Sequence, residues 1–215
     1  MKKYVFCLMV GFLTLLLASC GETLEPAKYI EAFEKSKNSV TEIIQNTEIY
    51  DDEVLISNEK LTIQKDVNKG ITKVQVYSKV LAPINSVDLY EVKEFTIYYT
   101  ISAKYSNESG SWVKEDGVFA SEVKGINCKI DYLDVVSYDE NIKVKNTLTA
   151  NVKNDNVSNF LNKNINAKDV SLTMTISDKK NLISSSINYV STNNNKVTIT
   201  NTYGYNTFEF SEPII

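Results

Sequence analysis

The feature that most constrains the fold of this chain is a period-two alternation of apolar and polar residues over much of its length. The clearest case runs from Glu94 to Lys104, where every second residue from Phe95 onward is apolar or aromatic. Successive side chains of a β-strand point to opposite faces, so this pattern predicts strands with one buried and one solvated face. Alternating segments lie between Gly70 and Ala82, between Asp88 and Tyr105, and at 143–152, 169–177, Ile183–Ser191 and Val197–Tyr205. One-sided strands of this kind are typical of antiparallel sheets.

Short polar segments separate these strands and predict the turns between them. Asp178–Asn181 and Asn193–Asn195 divide the last three strands into a meander, and Asn107–Gly110 predicts a turn before Trp112. Asn and Gly tolerate the positive φ that tight turns require. Two short helices are predicted as interruptions, one within Val118–Lys124 and one at Val157–Asn162 with Asn156 as its cap. The pattern at 126–142 gives no assignment.

A helical period precedes the strands. Pro26 suits the first turn of a helix, and Ile30, Phe33, Val40 and Ile44 recur at helical spacing. The sequence therefore predicts one amphipathic helix over Pro26–Gln45, with the strand period beginning after Asn46. We expect its apolar stripe to pack on the sheet.

These elements predict a single α+β domain over residues 26–215. We expect a curved, meandering antiparallel β-sheet, half-barrel-like in form, with the N-terminal amphipathic helix packed on its apolar face. The polar and apolar rhythm has no fixed repeat length, which argues against a propeller or a solenoid.

The first nineteen residues have the plan of a secretory signal. Lys2 and Lys3 precede an apolar run from Tyr4 to Leu17 in which only Thr14 is polar. At 1.5 Å per residue, a helix of this run would be about 21 Å long, shorter than the hydrocarbon core of a bilayer. We therefore interpret residues 1–19 as a signal peptide and exclude them from the fold.

The segment Leu17-Ala18-Ser19-Cys20 resembles the lipobox of bacterial lipoproteins. The resemblance implies that the Cys20 sulfur receives a diacylglyceryl group and that the chain is cut just before it. Residues 20–25 would then be a tether from acyl chains in the membrane to the domain. It also implies an extracytoplasmic site, on the outer face of the plasma membrane, or at the outer membrane in a cell with two membranes.

Composition excludes several chemistries. The chain contains no histidine and no arginine, which removes Ser-His and Cys-His nucleophile pairs, His-ligated metal sites and guanidinium clamps. Cys128 is the only thiol left for a mature chain with an acylated Cys20, and we expect it to be a small buried hydrophobe. We predict a non-enzymatic protein with no metal and no cofactor. The net charge of −4, which becomes −6 without Lys2 and Lys3, argues against nucleic-acid binding.

The order of elements resembles a known group of envelope proteins. An amphipathic helix is followed by many alternating strands, a tryptophan on a hairpin at Gly110–Lys114, a small helical insert and a closing three-strand meander. This order is similar to that of the LolA/LolB-like and LppX/LprG-like half-barrel lipoproteins and carriers. The resemblance implies a curved sheet that encloses an apolar cavity for acyl chains, and no catalytic residues.

Such a cavity needs a concave face that is more apolar than the helix can cover, and two strands supply candidates for that face. The candidates are Phe95, Ile97, Tyr99, Ile101, Leu172, Met174 and Ile176. The alternative is a solid core without a ligand. In that case the protein would be a cell-surface interaction, adhesion or assembly module, recognised by an exposed tyrosine-rich or apolar patch. The sequence leaves the ligand, the protein partner and the oligomeric state open.

Overall fold

Eleven antiparallel strands form one continuous sheet in the computed structural model, which describes residues 24–83, 88–119, 126–163 and 165–215. The strands are β1 (Glu42–Asp51), β2 (Val54–Asp66), β3 (Ile71–Leu81), β4 (Tyr90–Tyr99), β5 (Ala103–Ser106), β6 (Val113–Asp116), β7 (Leu133–Tyr138), β8 (Lys145–Val152), β9 (Ala167–Ser177), β10 (Leu182–Ser191) and β11 (Lys196–Gly204). The helices are α1 (Pro26–Ser39) and α2 (Val157–Leu161), with 3₁₀ turns at Ile130–Tyr132 and Asn154–Asn156. The prediction of a large antiparallel sheet with few helices is confirmed.

The strand order shows that the sheet consists of two meanders. Across the sheet it runs β6-β5-β4-β3-β2-β1-β11-β10-β9-β8-β7. The first meander, β1–β6, and the second meander, β7–β11, therefore meet where β1 pairs with β11. This central pairing joins residues about 150 positions apart, such as Gln45 and Asn201.

One face of the sheet, here called the inner face, carries the apolar residues of both meanders. The register places Ile43, Ile63, Val74 and Ile97 side by side across β1 to β4. On the second meander, four inner-face residues of β9 are almost completely buried: Val170, Leu172, Met174 and Ile176.

Helix α1 lies on the inner face of the second meander. Its buried residues are Tyr29, Ile30, Ala32, Phe33 and Ser36, which recur at the spacing of one helical face. The Tyr29 hydroxyl donates to the Asp139 carbonyl oxygen at 3.0 Å, and Leu24 N donates to the Glu140 carbonyl oxygen at 2.7 Å. These contacts fix the start of the helix near the connection between β7 and β8.

The helix is shorter than the sequence predicts. It ends at Ser39, Val40 is extended, and β1 begins at Glu42, so the prediction of helix to Gln45 is wrong. Ile44 fitted the helical stripe by spacing alone. The β-branched residues from Val40 to Ile44 favour a strand, and β1 gains ladder hydrogen bonds from β2 on one side and β11 on the other.

The alternating segment from Asp88 to Tyr105 is two strands rather than one. The chain turns at Thr100–Ser102, where Thr100 Oγ1 accepts a hydrogen bond from Ala103 N at 3.0 Å. A Thr hydroxyl can close a turn in this way without Gly or Pro. Because this turn contains neither residue, the alternation continues through it and hides the break.

The other turns and short helices follow the sequence more closely. The predicted turns at Asp178–Asn181, Asn193–Asn195 and Asn107–Gly110 each separate two strands, and α2 matches the predicted helix at Val157–Asn162. Asn156 stands at the N-cap position of α2 without a side-chain capping bond. The predicted helix within Val118–Lys124 falls largely on residues 120–125, outside the described residues.

Candidate ligand pocket

A pocket of about 360 Å³ lies between α1 and the inner face of the sheet, where the two meanders meet. Small-molecule sites in proteins typically occupy about 300–1,000 Å³ and are mostly apolar. This pocket is lined by Phe33, Ser36, Lys37, Val40, Ile43, Gln45, Thr47, Ile49, Glu59, Ile126, Leu161, Lys163, Ile165, Leu182, Ile187, Tyr189, Val197, Ile199, Asn201 and Tyr203. Aliphatic and aromatic side chains predominate, so the site suits an apolar ligand.

The floor of the pocket is elongated along the strands. Four cross-strand pairs of β1 and β11 line it in succession: Ile43–Tyr203, Gln45–Asn201, Thr47–Ile199 and Ile49–Val197. Six residue steps along a strand cover about 20 Å. Ile187 and Tyr189 extend the floor onto β10. The shape is therefore that of a trough longer than it is wide.

The C-terminal half of α1 forms one wall and is tied to the sheet by a serine. Ser36 Oγ accepts a hydrogen bond from Leu182 N at 3.2 Å, at the first residue of β10. The Tyr205 hydroxyl lies 3.1 Å from Ser36 Oγ and 2.9 Å from the Leu182 carbonyl oxygen. Because Ser36 is only 3% exposed, these contacts hold the helix at a fixed height above the floor.

Charged residues line the pocket only at its rim. Lys37, Glu59 and Lys163 are exposed, and they lie on α1, on β2 and after α2, respectively. Lys37 Nζ pairs with Glu34 Oε1 at 2.7 Å and lies 5.1 Å from the centre of the Phe33 ring. The interior is therefore without charge and the entrance is polar.

A row of polar side chains crosses the apolar floor. Gln45 Nε2 donates to Asn201 Oδ1 at 2.9 Å, and Asn201 Nδ2 donates to Ser185 Oγ at 3.2 Å. Ser185 Oγ and the Tyr203 hydroxyl are 2.9 Å apart. Burial raises the pKa of Tyr203 to about 12, so its hydroxyl stays protonated at neutral pH.

The seven residues predicted to line a cavity lie elsewhere. Leu172, Met174 and Ile176 face the same side of the sheet as the pocket, but each is 0% exposed in the solid core beneath the helices. The alternation gave their face correctly, but it carries no information about which part of that face a helix covers. They therefore contribute packing, and none of them borders the pocket.

The four candidates near β4 divide into two groups. Phe95, Ile97 and Tyr99 lie on the inner face of the first meander, in a cluster built around Ile63, Val74 and Ile97. Ile101 lies on the turn after β4 and is 75% exposed. It borders a separate, open depression with Phe210 and Glu212. The turn at Thr100–Ser102 is the reason that Ile101 leaves the face of Ile97.

Part of the floor was not identified because residues 42–45 are predicted as the end of the helix, whereas they begin β1. The floor face of β1 carries the polar Gln45 and Thr47 between Ile43 and Ile49, and Ile44 lies on the opposite face. The period-two signal is therefore weak along β1. Tyr203 and Ile199 lie on a strand that was predicted, but nothing local indicated that it would pair with β1.

The sequence also singles out two cysteines, of which the structure describes Cys128. Cys20 lies outside the described residues, as does the whole segment 1–23. Cys128 is 1% exposed within the core, as predicted for a small buried hydrophobe. Burial raises the pKa of its thiol to about 12, so it is almost entirely protonated at neutral pH.

Among the described helices, none is long and apolar enough to cross a bilayer.

Known proteins provide only distant likenesses. No family model and no curated protein matches this chain. Among solved structures, LprF from Mycobacterium bovis matches with a TM-score of 0.43 at 12% identity, over 85% of this chain and 95% of that chain. The Mycobacterium tuberculosis lipoprotein LppX matches with a TM-score of 0.42 at 10% identity, over 84% of this chain and 96% of that chain.

Proposed function

We propose that this protein is a membrane-anchored extracytoplasmic lipoprotein that holds a lipid or another apolar molecule in the pocket beneath α1. The observation that carries the proposal is the pocket of about 360 Å³, with charge only at its rim. A trough about 20 Å long with a mostly apolar lining favours an extended hydrocarbon chain. Each CH₂ group transferred from water contributes about 0.8 kcal/mol, so binding is expected to strengthen with chain length.

The proposed anchor lies close to the pocket. Leu24 is 2% exposed and hydrogen-bonded to the connection between β7 and β8, so the folded body begins four residues after Cys20. Four extended residues reach at most about 14 Å. Seven residues of α1 then lead from Pro26 to Phe33 at the pocket, about 11 Å along the helix axis. An acylated Cys20 would therefore keep the pocket within about 30 Å of the bilayer, where an apolar ligand is available.

The path of the chain favours a sheet curved like a half-barrel. β6 and β7 follow each other in sequence but occupy opposite edges of the sheet, ten strand spacings or about 48 Å apart if the sheet were flat. The link of sixteen residues between them reaches about 56 Å when fully extended. Part of that link is compact, since Ile130–Tyr132 is a 3₁₀ turn and Asn127 N is bonded to the Phe160 carbonyl oxygen at 2.8 Å. A curved sheet brings the two edges within its reach.

The alternative is an interaction module with a solid core, and the pocket where the two meanders meet favours the ligand-binding proposal over it. The aromatic residues on the outer face of the first meander contact each other. Tyr98 lies 5.6 Å from Trp112 and 6.2 Å from Phe210, measured between ring centres. Phe210 belongs to the C-terminal tail of the same chain, and all three rings are half-buried.

Ligand binding is tested with variants that fill the trough. In the chain from Gly21 onward, which contains every described residue, Ile199→Phe places a larger side chain on the floor. We expect the affinity for a fluorescent long-chain acyl probe to fall by at least about tenfold, since overfilling a packed site displaces its contents. The matched control is Val76→Phe, on the same face of the sheet but outside the pocket, which we expect to bind like the wild type.

Two results would contradict the pocket as the binding site. One is wild-type protein that binds no acyl probe and carries no lipid in native mass spectrometry after extraction from its own membranes. The other is an equal loss of binding in the Ile199→Phe and Val76→Phe variants when thermal unfolding shows both to be folded. In the second case the effect would come from the sheet as a whole.

Membrane attachment has its own test. We expect radiolabelled palmitate to be incorporated into the full chain and lost in a Cys20→Ala variant. Cys7→Ala is the matched control and should keep the label, because Cys7 lies inside the predicted signal peptide. Label that persists without Cys20 would remove the basis for the proposed location.

A further inference from the structure

The polar row across the pocket floor is the least expected feature of the site. Gln45, Asn201 and Ser185 are cross-strand neighbours on β1, β11 and β10. Asn201 is 8% exposed and Ser185 is 3% exposed. Buried polar groups are unfavourable unless they are hydrogen-bonded, and apolar residues at these positions would pack equally well in a simple hydrocarbon trough. The row therefore calls for a chemical explanation.

The hydrogen bonds of the row run in one direction. An amide nitrogen only donates and an amide oxygen only accepts, so the bonds run from Gln45 to Asn201 and from Asn201 to Ser185. These directions are those of the Gln45 and Asn201 amide orientations assigned in this structure. Each bond polarises the next, which strengthens the row as a whole.

The last contact joins the hydroxyl groups of Ser185 and Tyr203. Only one of their two hydrogens can lie between the two oxygens, and the donor determines which hydroxyl hydrogen is left over. Ser185 Oγ already accepts from Asn201, and among the described residues the Tyr203 oxygen is the acceptor recorded within its reach. If Tyr203 were the donor, the hydrogen of the nearly buried Ser185 would have no acceptor, which is costly. Ser185 is therefore the donor, and the hydroxyl hydrogen of Tyr203 remains unused.

The unused donor lies at the pocket. Tyr203 lines the trough, whereas Ser185 is not among the lining residues. Among buried side-chain atoms that the structure describes, none lacks a hydrogen-bond partner. The Gln45 and Asn201 amide nitrogens each carry a second hydrogen, but the Tyr203 hydrogen is the one that this bond direction leaves without its neighbour in the row, and Tyr203 belongs to the pocket lining, where a bound molecule can accept it.

The surroundings of Tyr203 select the type of acceptor. The charged residues of the pocket are all at its exposed rim, so an ionised carboxylate on the floor would be desolvated without a cation beside it. A neutral carbonyl oxygen accepts a hydrogen bond and needs no counter-ion. Building on the proposed function, we infer that the pocket takes an ester-linked acyl chain, and that Tyr203 donates a hydrogen bond to its carbonyl oxygen.

This inference is tested with two ligands that differ only in that carbonyl. A 1-monoacylglycerol and the 1-O-alkylglycerol of the same chain length share the head group and the hydrocarbon chain. Each would be used to displace a fluorescent acyl probe from the chain from Gly21 onward. We expect wild-type protein to bind the ester about two- to tenfold more tightly than the ether, as one neutral hydrogen bond provides.

Variants locate the donor. Tyr203→Phe removes the hydroxyl while keeping the ring, and we expect it to bind ester and ether equally. Tyr189→Phe is the matched control, because Tyr189 lines the same pocket on β10 but stands outside the polar row. We expect it to keep the wild-type preference for the ester.

Each outcome is decisive. If neither ligand displaces the probe and the probe itself does not bind, the proposed function fails and this inference fails with it. If both ligands bind equally well to wild-type protein, recognition of the carbonyl is overturned while the apolar pocket stands. If the preference persists in folded Tyr203→Phe protein, Tyr203 is not the donor. The wild-type comparison needs no variant, so the inference stays testable even if Tyr203→Phe does not fold.

Discussion

The two meanders share one sheet and one apolar face, but they are buried in different ways. On the second meander, α1 and α2 cover the inner face, and Leu148, Leu172, Met174 and Ile176 are 0% exposed. On the first meander, the inner-face cluster is built from strand residues, and Leu61, Val76, Phe95 and Tyr99 are only partly buried. The same alternation thus produces a solid core in one half and a half-covered surface in the other.

The first meander is stabilised from its outer face instead. The C-terminal tail crosses that face, where Phe210 contacts Tyr98 and its backbone N donates to Asp66 Oδ2 at 2.9 Å. Tyr105 donates to Glu212 Oε2 at 2.7 Å. The pocket lies at the border between the two kinds of burial. A cavity therefore arises where the helices that cover the second meander end before the first meander is covered.

The largest expected difference between the halves is in the effect of removing the same side chain. Leu172→Ala and Leu61→Ala truncate leucines on the same face of the sheet. We expect Leu172→Ala to lower the free energy of unfolding by about 2–5 kcal/mol, because it leaves a cavity in a closed core. For Leu61→Ala we expect less than half that loss, since its side chain is already partly in water. Urea unfolding of both variants measures the difference, and equal losses would show that both halves are equally packed.

A smaller effect is expected from loosening the helix. Ser36→Ala removes the acceptor of the Leu182 N–H and one contact of the Tyr205 hydroxyl. Leaving a buried donor unpaired costs about 1–3 kcal/mol, and we expect the free energy of unfolding to fall by that amount.

Hydrogen exchange can locate the effect of Ser36→Ala. We expect faster exchange in α1 and at the start of β10, with β3 and β4 unchanged. Faster exchange throughout the sheet would indicate that the two meanders do not behave as separate units.

The smallest expected effect is a pH-dependent loss of the contact between the C-terminal tail and Asp66. Hydrogen bonds from the backbone N–H of Phe210, and then that of Lys69, hold the pKa of Asp66 below its usual range. A lowered folded-state pKa contributes stability that is present above the unfolded value of about 3.9 and is lost as the pH falls through the folded value. We therefore expect the C-terminal tail around Phe210 to detach from the sheet below about pH 4. Trp112 fluorescence measures this detachment, because Trp112 contacts Tyr98, which also contacts Phe210.

Matched carboxylates in the two halves provide the control for this transition. The Lys143 side chain, followed by the Thr147 N–H, likewise lowers the pKa of Asp139 in the second meander. Asp66→Asn should remove the acid transition of Trp112 fluorescence, and Asp139→Asn should leave it in place. A transition that survives Asp66→Asn would assign it to another carboxylate.

Much of the fold follows from local pattern. The turns at Asp178–Asn181 and Asn193–Asn195 and the inner-face phase of β9 agree with the sequence, because turn chemistry and alternation act over a few residues. The failures have equally local causes. Ile44 fits the spacing of the helical stripe although it lies in β1, and the turn at Thr100–Ser102 is closed by a threonine rather than by Gly or Pro.

The candidate pocket could not be predicted in the same way. Its floor joins Gln45 to Asn201 and its wall joins Ser36 to Leu182, each pair separated by more than 140 residues. Alternation states which side of its own strand a residue occupies, but it does not state which strand lies next to it. The lining therefore became visible only when β1 was seen to pair with β11.

The sequence by itself determined that this chain makes one-sided antiparallel strands, because a period of two places apolar side chains on one face of each strand. It also determined that the chain offers no histidine or arginine chemistry. The tertiary structure decided which part of the apolar face is covered, because long-range strand pairing sets the order of the strands and α1 is long enough to cover only some of them. The position of the pocket and the polar row within it depend on that order.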